Sequence, residues 1–478
     1  MLHSTEIYIE LYKRKVFDKI PVFEDETGLY YLSEKQLKAI GLLTDHTTKM
    51  LGVGGSARCG KSVILCFWQL FNRLSYPGTR GLIGRLELTN LDSTTGKTLY
   101  SLFDYYGIEK GKDYSYDGQN HHKIIFANGS ELFLMDTFFP ASDELFTKFG
   151  SLELTDAAVD ESNETRIGVI NKIYSRTGWC NNEKYNLPRK LLETFNPQKN
   201  HVYDRYWKPF RDNTELEEKK FIKALPTDNP HPAVGKWVDD VIKLGDKRMI
   251  QRLVLGNFDY DDDDNALVAF DKINDMFTNT FIPDEGQNFL SMDIAITNDR
   301  FVCFAWKGMR IKEVVAIKNV AKPVSTQNEQ GEWINKVDFT PLLDVIERLT
   351  VKYNIPRSNV VYDGDGIGAK LKKYLSGAVA IHNAGKSIAP EYKNLSNELG
   401  YKLAEMINSD SIYYDCDLQP ETKELIKDEL QSSLKRSSEV GEKLSLITKA
   451  EVKQLISHSP DFYDAKKYRM LFLITRRQ

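Results

Sequence analysis

The string GSARCGKS, residues 55–62, constrains this chain more than any other stretch, because its chemistry needs a strand on one side and a helix on the other. Its spacing is GxxxxGK followed by Ser, and it lies between the apolar runs KMLGVGG and VILCFWQLF. Glycines let backbone N–H groups curl round a β-phosphate, and the helix N-terminus behind them favours the anion. Gly55, Ser56, Ala57, Arg58, Cys59 and Gly60 would form the cradle, Lys61 would reach the β and γ phosphates of ATP, and Ser62 would ligate Mg2+. Further strand-length runs (RGLIGR, KIIFAN, SELFLM, LTDAAVD, RKLLETFN, KKFIKAL) alternate with helical windows, which predicts a mainly parallel α/β sheet.

A phosphate loop needs a strand-borne carboxylate for the magnesium and a base for the attacking water. LTDAAVDES supplies Asp160 and Glu161, with Asp156 expected at the surface. LLETFNP is a strand running into an Asn-Pro turn. Inside a phosphate-loop domain its Thr194 and Asn196 would face the γ-phosphate and report hydrolysis. Gln36 is placed either for adenine recognition or, in Ser33-Glu34-Lys35-Gln36, as the third member of a capping box.

The acidic run DYDDDDN at 259–265 and the polar stretch after it predict a linker over 261–284 between domains 1–260 and 285–478. After it come three strand candidates in a row, then helices alternating with the strands SNVVYD and AVAIHN. Asp293 sits mid-strand among apolar residues, where an unpaired carboxylate is costly. Asp363 ends SNVVYD. HSPDFYDAKKY reads as a helix start with Ser459 as N-cap, Pro460 first, and Asp461 and Asp464 on one face. Asp293, Asp363 and one of the last two, Asp464 preferred, could hold two divalent ions, Mg2+ or Mn2+, about 4 Å apart for phosphodiester cleavage. Asp299 and Asp365 stand beside them in loops.

With 64 basic against 68 acidic residues the chain is no polybasic coat, so any nucleic-acid site is local. Candidate phosphate contacts are Lys370, Lys372 and Lys373, then Lys435 and Arg436, then Lys466, Lys467 and Arg469; residues 325–336 form a polar excursion over DNA or a neighbour. Five scattered cysteines without a CxxC pair argue against disulfides and zinc, and no apolar run approaches membrane-spanning length. A reducing cytoplasm and no membrane are expected.

The order of these motifs resembles the large terminase subunit of tailed bacteriophages, from about residue 31 to 473. GGSARCGKS looks like its Walker A loop, AAVDE its Walker B with catalytic Glu161, and ETFNP its coupling motif; SMDIA, VVYDGDGIGAKL and ITKAEVKQLISHSPDFYDA look like its three nuclease segments. The resemblance implies an N-terminal P-loop (ASCE-type) ATPase domain with a lid subdomain and a C-terminal ribonuclease-H-like nuclease domain. It implies a DNA-packaging motor that hydrolyses ATP to move double-stranded DNA into a procapsid and cuts concatemeric DNA. It implies a homo-oligomeric ring docked on the portal protein, with a small terminase subunit as partner. Such a motor would work in the host cytoplasm, transiently at the portal vertex, and be absent from the mature virion. By motif match Asp293, Asp363 and Asp464 are the nuclease ligands. Many relatives carry the loop arginine one position before Arg58, and Arg85 is a candidate arginine finger. The alternative is an ATP-driven helicase or translocase whose C-terminal half binds nucleic acid without cleaving it.

Overall fold

The computed structural model describes residues 5–475 except 18, 119–121, 140–145, 261–264, 296–298, 321, 328–332, 437–441 and 457. Four aspartates of the acidic run and the tip of the polar excursion, 261–264 and 328–332, therefore lie outside the described residues. The chain divides into two compact units, Met1–Asp262 and Asp263–Gln478.

In the first unit a hairpin, β1 (Pro21–Asp25) and β2 (Gly28–Tyr31), precedes an eight-stranded sheet. Its strands are β3 (Met50–Gly55), β4 (Arg80–Arg85), β5 (Tyr114–Asp117), β6 (Lys123–Phe126), β7 (Glu131–Asp136), β8 (Asp156–Val159), β9 (Lys190–Phe195) and β10 (Lys219–Ala224). Their order is β10-β3-β9-β8-β4-β7-β6-β5, parallel from β10 to β7 and antiparallel beyond. One strand, β9, thus separates the strand before the phosphate loop from the strand before Asp160, the additional-strand arrangement of ASCE-type folds. Parallel strands are covered on both faces, so they read as continuous apolar runs; every residue of β8 and β9 is buried. Gly54 in β3 leaves room for aromatic packing, since a Cβ there would lie 2.2 Å from the Phe195 ring. Phe195, Tyr206 and Phe221 stack across that face.

Asp156 overturns the surface expectation. It opens β8 fully buried, where Gln69, Asn72 and Arg73 of the helix Lys61–Ser75 all donate to its carboxylate. A helix crossing the sheet brings three donors to a position whose neighbours along the chain are merely apolar.

In the second unit β11 (Asn288–Asp293), β12 (Arg300–Lys307) and β13 (Arg310–Lys318) form an antiparallel meander. β14 (Lys322–Gln327) and β15 (Trp333–Asp338) pair apart from it. β16 (Val360–Asp363) runs parallel to β11, β17 (Val379–Ile381) parallel to β16, and the short β18 (Tyr413–Tyr414) lies beside β13. The resulting order, β17-β16-β11-β12-β13-β18, is that of a ribonuclease-H-like sheet with one added edge strand.

Two expectations change here. The stretch 265–284 is no free linker: Leu267, Val268, Ile273 and Met276 pack into the second core, around the helix Phe270–Asp275. Their spacing is too short to announce a helix amid turn residues. Lys466, Lys467 and Arg469 are not surface cations either. The helix Asp461–Tyr468 lies against β11 and β12 with all its residues buried, and Arg469 sits 3.7 Å over the Phe289 ring while donating to the Gly308 carbonyl. No helix among the described residues is long and apolar enough to cross a membrane.

Candidate functional site

The phosphate loop forms where the sequence places it, between β3 and the helix Lys61–Ser75. Gly55 and Gly60 take positive φ, 137° and 83°, and a Cβ on Gly55 would lie 2.1 Å from the Ala224 carbonyl oxygen. The loop is pinned from outside: Ser56 N donates to Ala224 O, Ala57 N to Leu253 O, and Ser56 Oγ to Val254 O. Cys59 is buried, and burial raises its thiol pKa. Among the described residues the N–H groups of Cys59, Gly60, Lys61 and Ser62 meet no backbone carbonyl, so the cradle offers donors to an anion. Arg58 is exposed at φ 57°, its guanidinium 5.7 Å from the Trp237 ring centre and its carbonyl held by Asn229. Gln36 completes the capping box and also donates to the Gly60 carbonyl at 3.1 Å, so its amide joins the cap to the loop.

Asp160 follows β8 and is ringed by hydroxyls. Thr194 Oγ1 donates to its Oδ1 at 2.5 Å; Thr95 Oγ1 and Ser62 Oγ donate to its Oδ2 at 2.5 and 3.3 Å. Arg85 NH1 lies 3.7 Å from Oδ2, so this arginine sits in its own chain's site; among the described residues its buried Nε has no hydrogen-bond partner. Glu161 adopts φ 49°, a left-handed conformation costing a non-glycine residue of order 1–3 kcal/mol. Burial first, then the Asp160 charge, pushes its carboxyl up to about 7. Asn196 bridges the two sides, accepting from Lys61 Nζ at 3.1 Å and donating to Glu161 Oε2 at 2.8 Å. Lys61, Ser62, Asp160, Glu161, Thr194 and Asn196 therefore form one connected cluster. Thr95 carried no sequence signal: it is one of two adjacent threonines in a polar segment.

The second site lies at the ends of β11 and β16. Asp293 and Asp464 are buried and Asp363 half-buried. The Lys449 ammonium stands among the acids, 2.7 Å from Asp464 Oδ2, 3.5 Å from Asp293 Oδ2 and 3.9 Å from Asp461 Oδ1. Burial, reinforced by Asp464, Asp461 and Asp363, raises Asp293 despite Lys449. For Asp464, burial works upward but Lys449 and Lys467 hold it low. Tyr468 Oη and Asn383 Nδ2 donate to the two oxygens of Asp363 at 3.2 and 3.3 Å. Asp365 pairs with His382 and Asp299 with Lys453, both outside the cluster.

The helix bearing Asp461 and Asp464 starts one residue later than expected, and Ser459 does not cap it. Glu429 does this from the helix Pro420–Gln431, its Oε2 accepting from Tyr463 N at 2.8 Å, while Asp461 Oδ2 accepts from Arg300 N at 2.7 Å. A cap from a residue 34 positions away has no local pattern to reveal it. Among the described residues no three Asp, Glu, His or Cys side chains are arranged to hold one metal ion; the ammonium fills that centre. The donor chemistry nonetheless fits a hard cation. It is all carboxylate, in excess over the ammonium, and among the described residues Asp461 Oδ1 is buried without a hydrogen bond, 3.9 Å from the Lys449 ammonium.

Asp363 is fixed by a tight loop. A Cβ on Gly368 would lie 1.6 Å from the Asp363 carbonyl oxygen, so Gly368→Ala must open it. We expect a stability loss of about 1–3 kcal/mol by urea unfolding; an unchanged midpoint would refute the constraint.

No protein-family model and no curated protein matches the chain. Among solved structures it is similar to the large terminase of the thermophilic bacteriophage D6E, at 14% identity and TM-score 0.38 over 93% of this chain and 100% of that one. A complex of the same terminase with ATP-gamma-S gives 14% and 0.35 over 91% and 99%. The nuclease domain of the large terminase subunit gp2 of bacterial virus Sf6 gives 19% and 0.34 over 43% of this chain and 98% of that one. By its own topology the chain is an α/β protein with an ASCE-type P-loop unit followed by a ribonuclease-H-like unit.

Proposed function

We propose that the chain is a viral DNA-packaging motor. Its first unit hydrolyses ATP to drive double-stranded DNA into a procapsid, and its second cuts concatemeric DNA. The observation carrying this is that one amide, Asn196, ties the phosphate-loop lysine to the water-activating glutamate, in a chain whose other unit gathers strand-end acids. In the first unit Glu161 orients and deprotonates the attacking water, Lys61 offsets charge on the transferring phosphate, and Asp160 and Ser62 would hold Mg2+. Thr194 and Asn196 touch Asp160, Lys61 and Glu161 together, so they are placed to relay hydrolysis. Arg85, already beside Asp160, acts within its own subunit. The segment 225–254, which pins the loop, serves as the lid.

In the second unit Asp293, Asp363 and Asp464 would hold one or two Mg2+ or Mn2+ ions once the Lys449 ammonium moves aside. Such ions supply an activated water and neutralise the leaving oxygen. Tyr468 and Asn383 orient Asp363, and Glu429 orients the helix of Asp464. DNA is held through phosphates by exposed Lys370, Lys372, Lys373 and Arg436. The partners are DNA, the portal protein, a small terminase subunit and further copies in a ring, at the procapsid portal vertex in the host cytoplasm.

Full-length protein with supercoiled plasmid and Mn2+ should yield nicked and linear DNA, and Asp363→Ala should lower that rate at least a hundredfold. The central position of Lys449 favours one other reading, a translocase whose second unit binds without cutting. No nicking with either metal, alongside intact ATP turnover, would establish that reading instead.

A further inference from the structure

Lys370, Lys372 and Lys373 line a single depression of about 730 Å³ together with Phe339 and Tyr374. Several other lysines of this unit are answered by acids: Lys272 by Asp410, Lys312 by Asp415, Lys352 by Glu313 and Lys453 by Asp299. Among the described residues the three lysines here take no ion-pair partner and no acid lines the depression. Tyr374 is 46% exposed, with the Lys373 ammonium 4.7 Å from its ring centre and the Phe339 ring 6.3 Å away.

Uncompensated ammoniums at this density repel one another unless an anion joins them, and a polyanion joins all three. The aromatic member narrows the class. In a duplex each base face is covered by its neighbours, so an exposed ring on a phosphate-binding surface has only sugar edges to meet. An unpaired base offers a free π-face, worth about 1–3 kcal/mol on an aromatic platform whatever its sequence. One tight loop, residues 363–368, connects the depression to Asp363, its Gly368 folded onto the Asp363 carbonyl.

We propose that this depression seats unpaired nucleotides beside the cutting site, the backbone on the three lysines and a base on Tyr374. The proposal rests on the DNA-acting reading of the second unit. It makes that unit a binder of strands opened near the cut as well as of duplex.

The test is fluorescence anisotropy of full-length protein in EDTA, so that cleavage plays no part, with fluorescein-labelled dT20 and a labelled blunt duplex of about 20 base pairs. Tyr374→Ala should weaken dT20 binding roughly tenfold and duplex binding less than twofold, with Tyr374→Phe restoring dT20 affinity. Replacing the three lysines by alanine should weaken both ligands and make the dT20 salt slope shallower by about 2. Equal losses on both DNAs, no loss on dT20, or no dT20 binding by the unsubstituted protein would overturn the proposal. If the plasmid stays intact with metal while the Tyr374 effect holds, the seat stands and the nuclease reading falls.

Discussion

Glu161→Gln is expected to lower the kcat of the proposed ATP turnover by about 10²–10⁴ while nucleotide affinity stays within a few-fold. Glutamine keeps the length of the side chain and its acceptor oxygen toward Asn196, so the bridge to Lys61 survives and only the proton acceptor is removed. In the proposed reading phosphate binding belongs to the loop and Lys61, which the substitution does not touch. The strained backbone at Glu161 and the uphill carboxyl both point to a group held for reaction rather than stability. Turnover within tenfold of the unsubstituted protein, measured by phosphate release, would remove Glu161 from the water-activating role.

Asp156→Ala costs the first unit about 3–5 kcal/mol, because it leaves the Arg73 guanidinium buried without its anion. Arg73 is already poorly served: among the described residues its Nε and NH1 have no hydrogen-bond partner, while NH2 meets Asp156 at 2.5 Å. Gly81 in β4 exists to make room, since a Cβ there would lie 2.2 Å from both Arg73 NH1 and Gln69 Oε1. The double change Arg73→Met with Asp156→Leu should cost less than either single one, because no charge is left stranded. Urea unfolding followed on the first unit's transition reads both; an Asp156→Ala loss below about 1 kcal/mol would show that water reaches the pair.

Much of the architecture was legible because it is written in local pattern. Apolar runs of strand length, a glycine-rich turn opening a helix, and carboxylates at strand ends sufficed to separate two α/β units and nominate Lys61, Asp160, Glu161, Asp293 and Asp363. Each of these depends on neighbours within a few positions. Gln36 shows the limit of that logic: the capping box is real, yet the same amide reaches the Gly60 carbonyl 24 residues on.

What the chain alone could not show are matters of burial and distant partnership. Composition marks Lys466, Lys467 and Arg469 as surface cations. The structure instead folds their helix against β11 and β12, where Arg469 covers Phe289 and Lys467 holds Asp464. Asp156 reads as a solvated strand start until Arg73, 83 residues earlier, arrives beside it. The place of Lys449 among Asp293, Asp461 and Asp464, and the cap that Glu429 supplies, exist only once four separate segments meet. A sequence specifies which groups can ionise and which segments prefer strand or helix. Whether a charge is buried, and which opposite charge meets it, is decided by long-range packing, because desolvating an ion is tolerated only where the whole fold delivers its partner.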